Sequence, residues 1–342
     1  MRRLTIATAV LVLAAALAGV GVAQAPQKIV FALNWFAVGD HAAYWVALDR
    51  GYYRAKGLDI ELQNSKGSGD SIAKVDTNRA DIGLADAVVV IPRVAQGAKI
   101  KIVSAVFDLT PLNMWTRKDT GITKPKDLEG KLLAAPPGDA QRQLFPAFAK
   151  INGLDAAKVK WLTIEPAAKF VALSEKRADV VPDYTTGQPF WEKAVGKENL
   201  VRMPWSEHGF DTYSMSVIAS EKTVKERARV LRDFLEASYM GWRDVMADPR
   251  AALEIFKKRV PDIDVTLIEP NMMLGLDLMR TDRYAKNGIG WIDPGKMCRT
   301  VEFINTYMPD MPRKVGCDEV FTNEFLTKIE PPKRRSSSTG SG

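Results

Sequence analysis

Polar and aromatic side chains recur at the points where apolar runs of this sequence end. Asn34 and Trp35 follow one such run and lead to Asp40, His41 and Tyr44; Lys66 sits in the Gly/Ser stretch after a second, and Asp86 closes a third. Gly138, Asp139 and Gln141 follow a fourth run, Glu165 a fifth, and Asp183 with Tyr184 a sixth. Carboxylates accept hydrogen bonds and attract cations. A Trp ring stacked on a flat guest contributes about 0.5–1.5 kcal/mol beyond the area it buries. His41 and Tyr44, three apart, are expected to share a helical face and reach one space. Asp40 is suited to N-cap that helix, and Asp86 to cap the next, to meet a guest, or both. Gly138-Asp139-Ala140 opens a helix whose free N–H groups would seat an anion, but Asp139 at the cap would use those donors itself. With Glu165 and Asp183 also at strand ends, a strongly anionic guest is disfavoured unless Lys66 or Arg142 compensates. The set suits holding a neutral or weakly cationic ring with hydrogen-bonding edges. No nucleophile stands beside a base, so catalysis is not expected. With only His41, His208 and two Cys, neither a zinc constellation nor another cofactor site is expected.

What positions these residues is a pattern that occurs twice. The first copy reads as a strand over 28–33, a helix over 41–55, and Gly57-Leu58-Asp59 opening a strand to 62. A helix over 71–78, Arg79-Ala80-Asp81 and a strand over 82–85 complete it. The second copy reads as a strand over 131–135, a helix over 141–152, Gly153-Leu154-Asp155, and a strand over 159–164. A helix over 167–176, Arg177-Ala178-Asp179 and a strand at 180–181 follow. Each copy is a βαβαβ unit, and strands alternating with helices imply an α/β fold with a mostly parallel sheet covered on both faces. Gly57 and Gly153 stand where a helix stops in the left-handed conformation. In open parallel sheets guests bind beyond the carboxyl ends of the strands, which is where the residues above fall. Two units, one per lobe, make a clamp with a cleft between.

The remaining chain frames that clamp. Residues 211–219 read as a returning strand, Thr223 as the N-cap of a long helix to about 246, and Asp248-Pro249 as the start of a helix over 250–259. Further helices are expected over 265–280 and 294–307. The lobes are expected to exchange chain near 112–117 and 211–215, giving a discontinuous first lobe of residues 26–113 and 212–330 and a second of 114–211. Arg2 and Arg3, the apolar run 6–20 and small residues at Gly21, Ala23 and Ala25 form a secretory leader over residues 1–25, so a periplasmic protein is expected. Residues 331–342 carry no apolar content and are expected to be disordered. Of the 48 basic residues, Arg2, Arg3, Lys333, Arg334 and Arg335 lie in these two ends; the other 43 face 41 acidic ones, a body charge of +2 in place of +7. That balance excludes a nucleic-acid footprint. Cys298 and Cys317 are candidates for a disulfide in an oxidising compartment.

Several of these tracts together resemble the NMT1/THI5-like group of periplasmic binding proteins, whose relatives take nitrate, sulfonates and taurine. The tracts are Leu33-Asn34-Trp35, His41, Ala47-Leu48-Asp49-Arg50-Gly51-Tyr52-Tyr53, Gly57-Leu58-Asp59, Arg79-Ala80-Asp81-Ile82-Gly83-Leu84 and Lys126-Asp127-Leu128-Glu129-Gly130-Lys131. The likeness spans residues 28–249. It implies a type II periplasmic-binding fold with two crossover strands. It also implies a monomer that captures a small-molecule ligand and delivers it to an ABC permease and its ATPase at the inner membrane. The Asn-Trp…His pattern is similar to members that bind a formylated aminopyrimidine precursor of thiamine. Receptors for an aromatic carboxylate, a sulfonate such as taurine, or nitrate are the alternatives, as is a sensor subunit. Eukaryotic enzymes on this fold make the thiamine pyrimidine from pyridoxal phosphate with a Lys and a His where this chain has Ala85 and Val89, and with a Cys-rich stretch that 211–219 lacks. Such synthesis is disfavoured here.

Overall fold

The computed structural model describes residues 25–332; apart from Ala25, Pro331 and Pro332, the expected leader and tail lie outside them. Among the described residues, ten strands form two five-stranded sheets. Strands β1 (Gln27–Ala32), β2 (Leu58–Gln63), β3 (Ile82–Asp86) and β4 (Ile100–Ala105) lie in the first. Strands β5 (Leu112–Arg117), β6 (Leu132–Ala135), β7 (Lys160–Thr163), β8 (Val180–Tyr184) and β9 (Leu200–Pro204) make the second, and β10 (Met215–Ser220) returns to the first. The orders are β2-β1-β3-β10-β4 and β7-β6-β8-β5-β9. In each, the three strands of a βαβαβ unit are parallel, and one antiparallel strand is inserted beside the third. The two sheets therefore share one plan, and each inserted strand adjoins a crossover. Helices flank both sheets, which is why β3 (Ile-Gly-Leu-Ala-Asp) is buried along its whole length.

Crossovers run through residues 106–111 and 205–214. The whole of β5 pairs within the second sheet, and the expected boundary after Asn113 falls inside it. The returning strand begins at Met215 rather than 211, because residues 211–214 are still crossing. The Val106 N–H donates to the Met215 carbonyl at 2.8 Å, tying the first crossover to the start of β10. Arg283 donates to both carboxylate oxygens of Asp108 at 2.8 and 2.9 Å. Lys296 lies over the Tyr213 ring at 4.7 Å. Both crossovers are thus bound to helices Asp282–Asn287 and Pro294–Tyr307.

Two expected helices are broken. Residues 41–55 form a 3-10 turn, Gly39–His41, then helices Ala42–Asp49 and Tyr52–Ala55, separated at Gly51 with φ +73°. The long helix expected from Thr223 is Glu221–Glu226 followed by Ala228–Ala247. Ser220 rather than Thr223 is its cap, accepting from the Thr223 N–H at 3.1 Å. The break is at Arg227, whose guanidinium pairs with Asp81 beside β3. Asp248 caps Pro249–Arg259 by accepting from the Ala251 N–H. Phe234 and Trp242 of Ala228–Ala247 share a core with Ile29 and Phe31 of β1, which places the C-terminal helices on the first lobe.

Cys298 and Cys317 are bonded across 19 residues. The bond ties helix Pro294–Tyr307 to the turn that precedes Phe321, which bridges to Ile102 in β4. Closing a loop of that order contributes about 3 kcal/mol on the chain-entropy estimate. Among the described residues, no helix is long and apolar enough to cross a membrane.

Candidate functional site

Residues at the carboxyl ends of β1, β3, β6 and β8 converge on one cavity between the lobes. Its free volume is about 60 Å³, room for a few waters, because side chains from the two lobes meet across it.

The first lobe supplies Asn34 and Trp35 after β1, Asp40 and His41 from the 3-10 turn, and Asp86 at the end of β3. Asp86 accepts from Ser68 Oγ at 2.6 Å, from Tyr184 Oη at 2.7 Å and from Ser214 on the second crossover. Asn34 Nδ2 donates to Tyr184 Oη at 3.2 Å, and Asn34 Oδ1 lies 3.0 Å from His41 Nε2. The second lobe supplies Asp139, Gln141, Lys169, Asp183 and Tyr184. Asp139 N-caps helix Ala140–Ile151, accepting from the Arg142 N–H at 3.0 Å. Its other oxygen lies 2.6 Å from Lys169 Nζ. That ammonium also donates to the Pro182 carbonyl at 2.7 Å and faces the Trp35 ring at 4.6 Å, a cation–π contact across the cleft.

Burial sets the ionisation of this wall. It pushes the Asp40 carboxyl up to about 7, with a hydrogen bond from Thr186 opposing and the charge of Asp183 reinforcing. Asp86 is raised by burial despite its three hydroxyl donors, and Asp183 is raised by burial against the pull of Lys169. His41 is pushed down to about 3 by burial and is neutral. Four carboxyl groups and one ammonium therefore line the cavity, beside the rings of Trp35, Phe36, Phe170 and Phe190. Acceptors outnumber cations.

Of the sequence-expected residues, Asn34, Trp35, His41, Asp86, Asp139, Gln141, Asp183 and Tyr184 line the cavity. Gln141 turns its amide to the Asn113 carbonyl at 3.2 Å and braces β5. Lys66, Gly138 and Glu165 sit outside it, on the rim. There Lys66 and Glu165 pair across the mouth at 2.8 Å, and the Gly69 N–H donates to the Gly138 carbonyl at 3.0 Å. Arg142 does not reach the cavity; it lies over Trp161 and donates to the Ala135 carbonyl. Neither expected compensating cation is inside. Lys169 is.

Two expectations are corrected. Tyr44 is in the first lobe's core, edge-on to Phe31 at 4.8 Å and Trp242 at 6.2 Å. His41 belongs to the 3-10 turn, so the helical phase that would align it with Tyr44 begins only after it. Asp40 does not cap that helix: it is inside the same turn and accepts from Thr186 Oγ1 of the second lobe at 2.6 Å. The strand-end reading also missed Lys169, Thr186 and Asn271. Asn271, on helix Val265–Met279, donates to the Thr186 carbonyl at 2.8 Å and adds a third element to the wall.

Comparison with known proteins gives the same outline. A family model described as NMT1/THI5 like matches residues 38–252. The riboflavin-binding protein RibY of Chloroflexus aurantiacus is 22% identical over 88% of this chain and 86% of its own. The formylaminopyrimidine-binding protein of Halalkalibacterium halodurans is 23% identical over 72% and 74%. The 4-amino-5-hydroxymethyl-2-methylpyrimidine phosphate synthase of Schizosaccharomyces pombe is 27% identical, but over only 31% of either chain. Among solved structures, the periplasmic aliphatic sulphonate binding protein SsuA of Escherichia coli superposes with a TM-score of 0.62 at 14% identity, over 93% of this chain and 98% of that one.

Proposed function

Because the chain belongs to the NMT1/THI5-like family, we propose that it is an exported solute receptor of an ABC importer that closes on a small, flat nitrogen heterocycle. A formylated aminopyrimidine is the first candidate. The observation that carries this reading is the interlobe wall of four carboxyl groups, one ammonium and several aromatic rings. An amino-substituted ring offers N–H donors and weakly basic nitrogens to carboxyl groups, and its faces to Trp35 and the phenylalanines. Asp40, buried and near the midpoint of its titration at neutral pH, can share a proton with such a nitrogen. A sulfonate, carboxylate or nitrate would instead meet Asp40, Asp86, Asp139 and Asp183 with a single Lys169 opposite. A flavin is the second candidate, since RibY is matched over 86% of its length.

The receptor grips without transforming. Lys169 is an amine in the cavity that strand-end reasoning did not anticipate, yet its Nζ is committed to Asp139 and the Pro182 carbonyl. A Schiff base to pyridoxal phosphate needs a free neutral amine. No visible absorbance band is expected on mixing the two.

Protein unfolded, dialysed and refolded to strip any ligand is the material for the test, by calorimetry with formylaminopyrimidine, riboflavin, an alkanesulfonate and nitrate. At least one heterocycle should bind with a Kd of roughly 1 μM or tighter, about −8 kcal/mol. Binding of the sulfonate or nitrate, with neither heterocycle bound, contradicts the proposal.

A further inference from the structure

Resting on the receptor reading above, we propose that Tyr184 and His41 are positioning residues that lock the Asn34 amide in one orientation as the lobes close. The cavity then presents an N–H donor and selects a ring with a hydrogen-bond acceptor at that edge.

The chain of bonds takes its direction from the end where the donor has no choice. The Val38 backbone N–H can only donate, and it meets His41 Nδ1 at 3.4 Å. Nδ1 is then the lone-pair nitrogen, and Nε2 carries the proton. Burial, which pushes His41 down to about 3, keeps a second proton off the ring. Nε2–H donates to Asn34 Oδ1 at 3.0 Å, which turns Nδ2 toward Tyr184. At the far end stands the Asp86 carboxylate. The Asp86 backbone N–H donates to Ser68 Oγ at 3.0 Å, so the Ser68 hydroxyl proton points at the carboxylate, and the Tyr184 O–H runs the same way. Donation from His41 to Asn34, from Asn34 to Tyr184 and from Tyr184 to Asp86 is the one assignment that satisfies every member.

The bond to Tyr184 uses one of the two Asn34 Nδ2 hydrogens. Asn34 is on the cavity wall, so the second hydrogen is the donor offered to a guest. Only Tyr184 comes from the second lobe. Its anchor exists only in the closed form, so the ring is examined at closure. A guest with C–H at this edge leaves a buried donor unpaired, a loss of about 10- to 100-fold in affinity.

The probes are 4-amino-2-methylpyrimidine and the two aminomethylpyridines in which one ring nitrogen or the other is C–H. The wild type should reject at least one pyridine by about 10- to 100-fold. Tyr184→Phe should shrink that preference to about threefold or less. His41→Gln, which keeps an N–H toward Asn34, should retain most of it, and His41→Leu should not. In ligand-free protein, nitrogen NMR should show His41 neutral with its proton on Nε2 from pH 5 to 8. Equal binding of all three rings, full preference in Tyr184→Phe, or a proton on Nδ1 overturns the proposal. If no probe binds the wild type, the heterocycle reading fails, and a His41 proton on Nδ1 separately overturns the donor assignment of Asn34.

Discussion

Lys169→Met is expected to destabilise the second lobe by about 3–5 kcal/mol, the cost of breaking a buried ion pair by removing one partner. The side chains of Lys169 and Asp139 are 2% and 4% exposed. Without the ammonium, the Asp139 carboxylate keeps only its cap bond from the Arg142 N–H, and the Pro182 carbonyl loses its donor. Met matches the length of the Lys stem, so the effect reads charge rather than volume. In urea the midpoint should fall by about 1–2 M at a slope of about 2–3 kcal/mol per M. Adding Asp139→Asn should recover most of the loss, because the carboxylate disappears while an acceptor for the Arg142 N–H remains. A single variant as stable as the wild type would mean that the pair is solvated. Trp35 should report the change directly, since its ring loses the cation 4.6 Å from its centre.

The second large effect is a pH dependence carried by Asp40. Burial is the chief cause that pushes its carboxyl up to about 7 from an ordinary 3.8. Between those values the folded protein holds a proton that the unfolded chain does not. The stability tied to that proton is complete below about pH 4 and is lost as pH rises through 7. Above that, the ionised carboxyl costs the folded state about 4 kcal/mol, at 1.36 kcal/mol for each pKa unit. Asp40→Asn removes the step while keeping an acceptor for Thr186. The variant should match the wild type near pH 4 and exceed it by up to that amount at pH 8, in urea unfolding followed across this range. Parallel profiles for the two proteins would exclude Asp40 as the titrating group. Asp86 and Asp183 are shifted the same way by burial, and the comparison isolates Asp40 from both. A guest that carries a proton to Asp40 offsets the cost, so its affinity is expected to depend on pH over the same window.

Residue pattern made the two-unit plan legible, because its period survives in the structure. Gly57 and Gly153 end their helical segments with φ of +71° and +62°, and Arg-Ala-Asp precedes the third strand of each unit. Each of those Asp side chains accepts from the first strand of its unit, Asp81 from the Val30 N–H and Asp179 from the Leu132 N–H. The strand-end rule placed most of the cavity wall for the same reason: it depends on topology alone. It failed where local geometry intervened. One 3-10 turn ahead of helix Ala42–Asp49 sent Tyr44 into the core and Asp40 into the cleft. Lys169 did leave a signal. A cation in the first turn of a helix opposes the helix dipole, and such a residue needs an acid nearby. Asn271 left none: it meets Asp40 across 231 positions of chain through the packing of the C-terminal helices.

The most direct test of the clamp is a distance across its mouth. Lys66 and Glu165 oppose each other there, with 2.8 Å between their charged ends, and the native cysteines are bonded to each other, so Lys66→Cys and Glu165→Cys provide two clean sites for spin labels. Pulsed electron resonance should show a broad distribution in stripped protein that collapses to one short distance when a binding heterocycle is added. A heterocycle that binds and leaves the distribution unchanged would contradict closure of the lobes on their guest.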